Sequence, residues 1–162
     1  MHLALGGRRY DLRTRALVMG ALRPPDELVA QGADIIESHG SAGPMPLPVC
    51  VPASDEASVD LALSGGADLI HLLRPTMGSL ELCAAAGVAV IVPPTAAEAA
   101  AAAGIPTERI VVDSVLLDVT GDDCPVAATA VGVIRGARIV RTTDVRGARR
   151  ICDVLAAVLE AR

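Results

Sequence analysis

Three ionisable side chains stand at the same place in a phrase that the chain uses three times. Gly32-Ala33-Asp34-Ile35-Ile36-Glu37, Gly66-Ala67-Asp68-Leu69-Ile70-His71 and Gly136-Ala137-Arg138-Ile139-Val140-Arg141 each run from a glycine to an ionisable end. The copies start at 32, 66 and 136, a spacing of 34 and then 70 residues, about two more periods. In each, the glycine closes a helical segment and the apolar pair makes a strand, which reads as βα modules around a parallel sheet. The carboxyl ends of parallel strands carry the chemistry of such sheets. Glu37, His71 and Arg141 are therefore expected where a ligand would sit, a carboxylate and an imidazole for proton transfer and a guanidinium for an anion.

Further candidates follow from the same rule. Asp113 ends the run Ile110-Val111-Val112 and is expected to aim at the pocket, its plainer role being to cap a neighbouring loop. Arg141, at a strand end facing helix N-termini, suits a phosphate, or else an ion pair with Asp144 or Asp113. His39 and Asp144 could join Glu37, His71 and Asp113 as a zinc, manganese or acid–base set. No HExxH-type spacing supports a metal, so none is expected, and rim residues or helix caps is the bland alternative. His71 could equally be a satisfied strand-end histidine. Cys50 lies near the strand mouths without a neighbour that identifies a base. Arg146, Arg149 and Arg150 read as a solvated helix face near Asp153 and Glu160.

At 162 residues the chain has a single-domain length, and its hydrophobic share of 52% supplies a substantial aliphatic core. One Tyr and no Trp or Phe argue against a stacking platform for single-stranded nucleic acid and against an aromatic hot-spot interface. A net charge of −5 argues against nucleic-acid or anionic-membrane partners. Cys50, Cys83, Cys124 and Cys152 contain no CxxC pair and read as reduced, buried thiols. The first residues lack a signal-peptide order, and no apolar run reaches the roughly 20 residues of a membrane span. A soluble cytoplasmic protein is expected.

The elements that must position these groups come in regular succession. Met1 to Thr14 is a lead-in with Gly6-Gly7 as a possible hairpin turn. Ala16 to Leu22 is a buried strand, and Pro25, Asp26 and Glu27 open a two-turn helix. Strand Ala33–Glu37 follows, then a small-residue stretch from Ser38 to Pro48 in which no helix fits. Strand Val49–Val51 precedes a helix capped by Ser54; strand Ala67–Leu72 precedes one capped by Thr76 or Ser79. Strand Val88–Val92 leads to an alanine helix for which Thr95 and Glu98 form a capping box. Strand Arg109–Asp113 comes next, and Ser114 to Asp123 is ambiguous, with Val115-Leu116-Leu117 either a short strand or a loop. A helix from Pro125 to Ile134, strand Ala137–Arg141 and a final helix with Val145, Ile151, Leu155 and Leu159 inward complete the chain.

Three stretches resemble dihydropteroate synthase, the pterin-binding (β/α)8 enzyme of folate biosynthesis. They are Arg15 to Leu22, the paired Gly-Ala-Asp strands, and the run from Ala127-Ala128-Thr129-Ala130 through Gly136 to Val145 and on to Ala148-Arg149-Arg150. With Ile110 to Asp113, the likeness covers most of the chain, with deletions between. It implies an α/β fold, a reduced or incomplete (β/α)8 TIM-type barrel of about seven parallel strands, as one domain over residues 1–162. It also implies a transferase joining 6-hydroxymethyl-dihydropterin diphosphate to p-aminobenzoate, with magnesium if that reaction survives and otherwise no cofactor. The family dimerises, so a homodimer is expected.

Position by position, the resemblance also implies losses. The family's magnesium- and diphosphate-binding Asn falls on Arg23, and the flexible catalytic loop after it is gone. Glu37 replaces an Asp, Gly40 is kept, and no arginine lies between Gly40 and Val49. The third strand's Asp falls on or beside Pro52, and an Asn-Asp pair becomes His71-Leu72. Asp113 is retained, followed by Ser114-Val115-Leu116-Leu117 instead of a glycine-rich loop. The seventh strand with its Ser-Arg-Lys signature is expected to be deleted, and the chain has no lysine. Arg141 and Asp144 of the final Arg-x-His-Asp remain, with Thr143 in place of the histidine. The expectation is a protein that has lost the synthase reaction and keeps binding of a pterin-like or anionic ligand. The alternatives are an active synthase or a non-catalytic oligomeric partner.

Overall fold

The computed structural model of the chain describes residues 2–39 and 45–160. In chain order these form β1 (His2–Leu5), β2 (Arg8–Asp11), β3 (Leu17–Gly20), α1 (Pro25–Ala30), β4 (Ile35–Glu37), β5 (Val49–Ala53), α2 (Glu56–Ser64) and β6 (Leu69–Leu72). They continue with α3 (Met77–Ala86), β7 (Ala89–Val92), α4 (Ala97–Ala102), β8 (Ile110–Val112), β9 (Leu116–Asp118), α5 (Pro125–Ile134), β10 (Ile139–Thr142) and α6 (Val145–Glu160). No helix occupies residues 38–39 or 45–48. Residues 40–44, Gly40 among them, and the side chain of Leu159 lie outside the described residues.

The chain divides into two compact units. One takes Asp11–Ile36 and the residues from Ser114 onward; its strands run β4-β3-β10-β9, every pair parallel, with Arg141 level with Met19 on one side and Asp118 on the other. The other takes His2–Tyr10 and Glu37–Asp113, with parallel order β5-β6-β7-β8 and His71 level with Pro52 and Ile91. All four residues of β3 and of β7 are buried. An apolar run without alternation is what a parallel strand covered on both faces requires. The expected hairpin forms from β1 and β2 around Gly6-Gly7.

Among the described residues the parallel strands number eight, against about seven expected. The additional one is β9, formed from the ambiguous Ser114–Asp123 stretch, so the strand expected to be deleted is kept. What is missing before it is the helix: a single 3₁₀ turn, Asp113–Val115, joins β8 to β9.

The repeated phrase is a helix-to-strand junction. Gly32, Gly66 and Gly136 have φ of +90°, +83° and +113°, a conformation that favours glycine. Each glycine N–H donates to the carbonyl three residues back (Val29, Leu63, Val133), and the following alanine N–H donates to the carbonyl five back (Leu28, Ala62, Gly132). This is a Schellman closure, made three times. The phrase's acid then ties down the start of a neighbouring strand. Asp34 accepts from the Val18 N–H at 2.8 Å, and Asp68 from the Val49 N–H at 3.0 Å. In the third copy Arg138 donates instead, to the carbonyl of Ala137 at 2.8 Å.

Two caps differ from expectation. Asp55, not Ser54, caps α2: its carboxylate accepts from the Ser58 N–H at 2.8 Å, and the Ser58 hydroxyl accepts from the Asp55 N–H at 3.1 Å. The Thr95–Glu98 box does not form, because Pro94 opens a 3₁₀ turn that places Thr95 inside it rather than before the helix. Thr76 caps α3 as expected, with Ser79 reciprocating.

Candidate functional site

In the first unit, the carboxyl ends of β3 and β10 are stitched by the Ala21 N–H donating to the Thr142 carbonyl at 3.0 Å. Beyond them a pocket of about 340 Å³ is lined by Arg23, Gln31, Thr143, Asp144 and Arg146. The structure thus brings together two of the expected residues, Arg23 and Asp144. Arg23 stands 4.0 Å from Glu27 with both side chains about half exposed, an ion pair of little strength. Asp144 is committed to α6: its carboxylate accepts from the Gly147 N–H at 3.0 Å, while its own N–H donates to the buried Thr142 hydroxyl at 3.0 Å. A Cβ on residue 147 would collide with that carboxylate, so the glycine keeps the cap in place. Arg146 is exposed, as expected of a solvated helix face, and also lines the pocket. It sits in the first turn of α6, two residues past Asp144, where spacing alone could have placed it at the strand mouth.

Arg141 takes a different place. Its Nη1 lies 2.8 Å from Asp118 Oδ2 and 3.2 Å from the Thr120 hydroxyl. Thr120 also donates to Asp118 through its N–H at 3.0 Å and its hydroxyl at 2.8 Å. Burial pushes the Asp118 carboxyl up, but the Thr120 bonds and the Arg141 charge outweigh it, and the group ionises below the usual carboxylate range. Arg141 therefore pairs with Asp118, a partner not expected from the sequence. Sequence reasoning missed Asp118 because it ends the strand left ambiguous. Leu22, between β3 and Arg23, has φ of +58° and is 64% exposed. Such left-handed backbone at a bulky residue costs about 1–3 kcal/mol and concentrates at functional sites.

In the second unit, Glu37 is buried at the end of β4, with Oε1 3.0 Å from Nε2 of the exposed His39. His71 is half-buried on β6. Asp113 is half-buried too and opens the turn after β8 rather than ending the strand. Pro52 lies inside β5, where the resemblance put an Asp. Among the described residues no three His, Cys, Asp or Glu side chains gather to hold a metal. Arg23 occupies the position the resemblance gives to magnesium's Asn ligand, and a guanidinium offers only donors. Arg23 therefore cannot take the Asn's place as a magnesium ligand.

Of the cysteines, Cys50, Cys83 and Cys152 are buried, as expected; Cys124, just before α5, is exposed. Burial pushes the Cys83 and Cys152 thiols up to about 11, which makes both poor nucleophiles. Among the described residues no helix is long and apolar enough to cross a membrane.

Solved structures decide the fold. The chain superposes on dihydropteroate synthase from Yersinia pestis, solved with a pterine-sulfa conjugate, at a TM-score of 0.80 and 18% identity, covering 100% of both chains. The enzyme from Xanthomonas albilineans, in complex with 7,8-dihydropteroate, gives 0.79 and 19%, covering 98% of this chain and 99% of that one. The Vibrio fischeri enzyme gives 0.80 and 16%, over 100% and 99%. This chain has the dihydropteroate synthase fold. Eight parallel strands give it the strand complement of a (β/α)8 TIM-type barrel. No family model matches the chain, and no curated protein does.

Proposed function

We propose that this chain is a divergent member of the dihydropteroate synthase family that has given up the synthase reaction and binds a small anion at the mouth of β3 and β10. The observation that carries this is the pocket lined by Arg23 and Arg146 together with the one carboxylate of Asp144, itself spent on capping α6. Two guanidiniums around about 340 Å³ suit a single phosphate or carboxylate group. The strained, exposed Leu22 beside Arg23 fits a ligand-contacting turn. Synthase chemistry would need more. Departing diphosphate requires cations poised where charge develops; the chain has no lysine, and Arg141 is tied to Asp118. Each lost pterin partner in a desolvated pocket costs about 1–3 kcal/mol of binding.

Calorimetric titration tests this reading. Inorganic diphosphate should bind without magnesium, and Arg23→Ala and Arg146→Ala should each weaken it. 6-Hydroxymethyl-dihydropterin diphosphate with p-aminobenzoate and magnesium should give no dihydropteroate. Turnover would restore the active-synthase alternative, and absence of any anion binding would leave the fold alone.

A homodimer is the second part of the proposal. Helices α5 and α6 pack against each other and expose Val131, Ile134, Val154 and Val158. A second copy of the same helices would cover these side chains, and light scattering at micromolar concentration should return twice the chain mass. A monomer would remove this part.

A further inference from the structure

A second cavity lies in the second unit, at the amino ends of its strands. It measures about 600 Å³, within the range of small-molecule sites, and is walled by the β1–β2 hairpin, the amino ends of β6 and β7, and the turn before β8. Arg8 and Arg9 of the hairpin, both exposed, and the half-buried Arg109 are among its lining residues. Among the described residues neither Arg8 nor Arg9 forms an ion pair, although the whole chain carries a net charge of −5. Arg109 is seated by donating from Nη1 to the Gly87 carbonyl, and a Cβ at residue 87 would stand 3.0 Å from that nitrogen.

Two carboxylates share the lining, and they differ. Asp68 is engaged with backbone: Oδ2 takes the Val49 N–H, and Oδ1 sits 2.9 Å from where a Cβ of residue 6 would be, folded under the hairpin turn. Glu108 is exposed. Gly6 and Gly7, at φ of +50° and +73°, bare the backbone of the turn, and nothing lies within 4 Å of a Cβ at Gly7. Leu3 and Leu5 are buried and pin β1, which packs on the 3₁₀ turn Thr107–Arg109.

We infer that this cleft is a second ligand site, distinct from the β3–β10 mouth, which takes the phosphate ester of a small polar molecule. Arg8, Arg9 and Arg109 hold the phosphate, and the glycine-walled remainder admits the body of the ligand. The planar, permanently charged guanidinium matches phosphate in geometry as well as charge. A bound phosphate would also bridge the hairpin to the turn before β8.

The experiment uses the full chain carrying Arg23→Ala and Arg146→Ala, so that binding at the mouth cannot contribute. Ribose 5-phosphate should bind in calorimetry while ribose does not, and affinity should fall as salt rises. Arg109→Ala, and separately the pair Arg8→Ala and Arg9→Ala, should each weaken binding by about tenfold or more, with unchanged circular dichroism. Equal heats from ribose and its phosphate, no binding at millimolar concentration, or affinity insensitive to these arginines would overturn the inference. Loss of diphosphate binding at the mouth alone would bear on the proposed function and not on this site.

Discussion

Replacing Asp34 with Asn separates the structural role of the repeated phrase from a catalytic one. The Asp34 carboxylate is 11% exposed. It receives the Val18 N–H at 2.8 Å, Arg15 Nη2 at 2.9 Å, and Arg149 through Nη2 at 2.5 Å and Nη1 at 3.2 Å. Neutralising it leaves Arg149, only 16% exposed, with Nε 4.0 Å from Asp153 and without a hydrogen-bond partner among the described residues. Breaking a buried pair typically costs about 3–5 kcal/mol. Arg15 is 35% exposed and keeps Asp153 at 3.2 Å. Solvent screening there lowers the expected loss to about 2–3 kcal/mol. Asp68→Asn weakens the equivalent strand tie, since its amide oxygen can still accept the Val49 N–H, and strands no buried cation, so it should cost about 1 kcal/mol. Urea unfolding and calorimetry measure both, with Asp34→Asn lowering Tm by about 5–10 °C in a chain of this size. The reasoning is refuted if Asp68→Asn costs as much as Asp34→Asn, or if neither exceeds about 0.5 kcal/mol.

Other consequences are equally direct. Gly20→Ala would put a Cβ 2.6 Å from Leu28 Cδ2 and 3.0 Å from Val145 Cγ2, and should cost about 1–3 kcal/mol in the same unfolding assay. Because Asp118 ionises at lower pH folded than unfolded, its pairing with Arg141 adds stability above about pH 4. That contribution is lost as pH falls through the folded value, so Asp118→Asn should flatten the acid limb of a Tm-against-pH curve. An alkylating agent at mildly alkaline pH should label Cys124 in the native protein and spare Cys50, Cys83 and Cys152, read by mass spectrometry.

Much of the fold was legible because its signals are local. The Schellman glycines at 32, 66 and 136 announce themselves by type and spacing, and the apolar runs in β3 and β7 have no other reading in a parallel sheet. The eighth strand was harder. Leu116–Asp118 is three residues long, half-buried and approached through a 3₁₀ turn, so neither periodicity nor length marks it; its partner β10 does. The site was legible by position but not by pairing. Arg23 and Asp144 could be placed at strand ends, yet which arginine stays with the pocket depends on Asp118 and Thr120, at a separation no local pattern encodes. Arg149 shows the same limit: a helical-wheel reading sets it outward, whereas Asp34, distant in sequence, draws it in.

The hairpin carries an optical consequence. Tyr10 lies half-buried within β2, and it is the single tyrosine of a chain with no tryptophan. The protein's intrinsic emission therefore comes from one residue at one edge of the second unit. Opening or quenching of the hairpin changes the whole fluorescence signal, while unfolding elsewhere leaves it silent. Chevrons followed by emission and by circular dichroism will coincide only if the hairpin comes apart together with the rest of the protein.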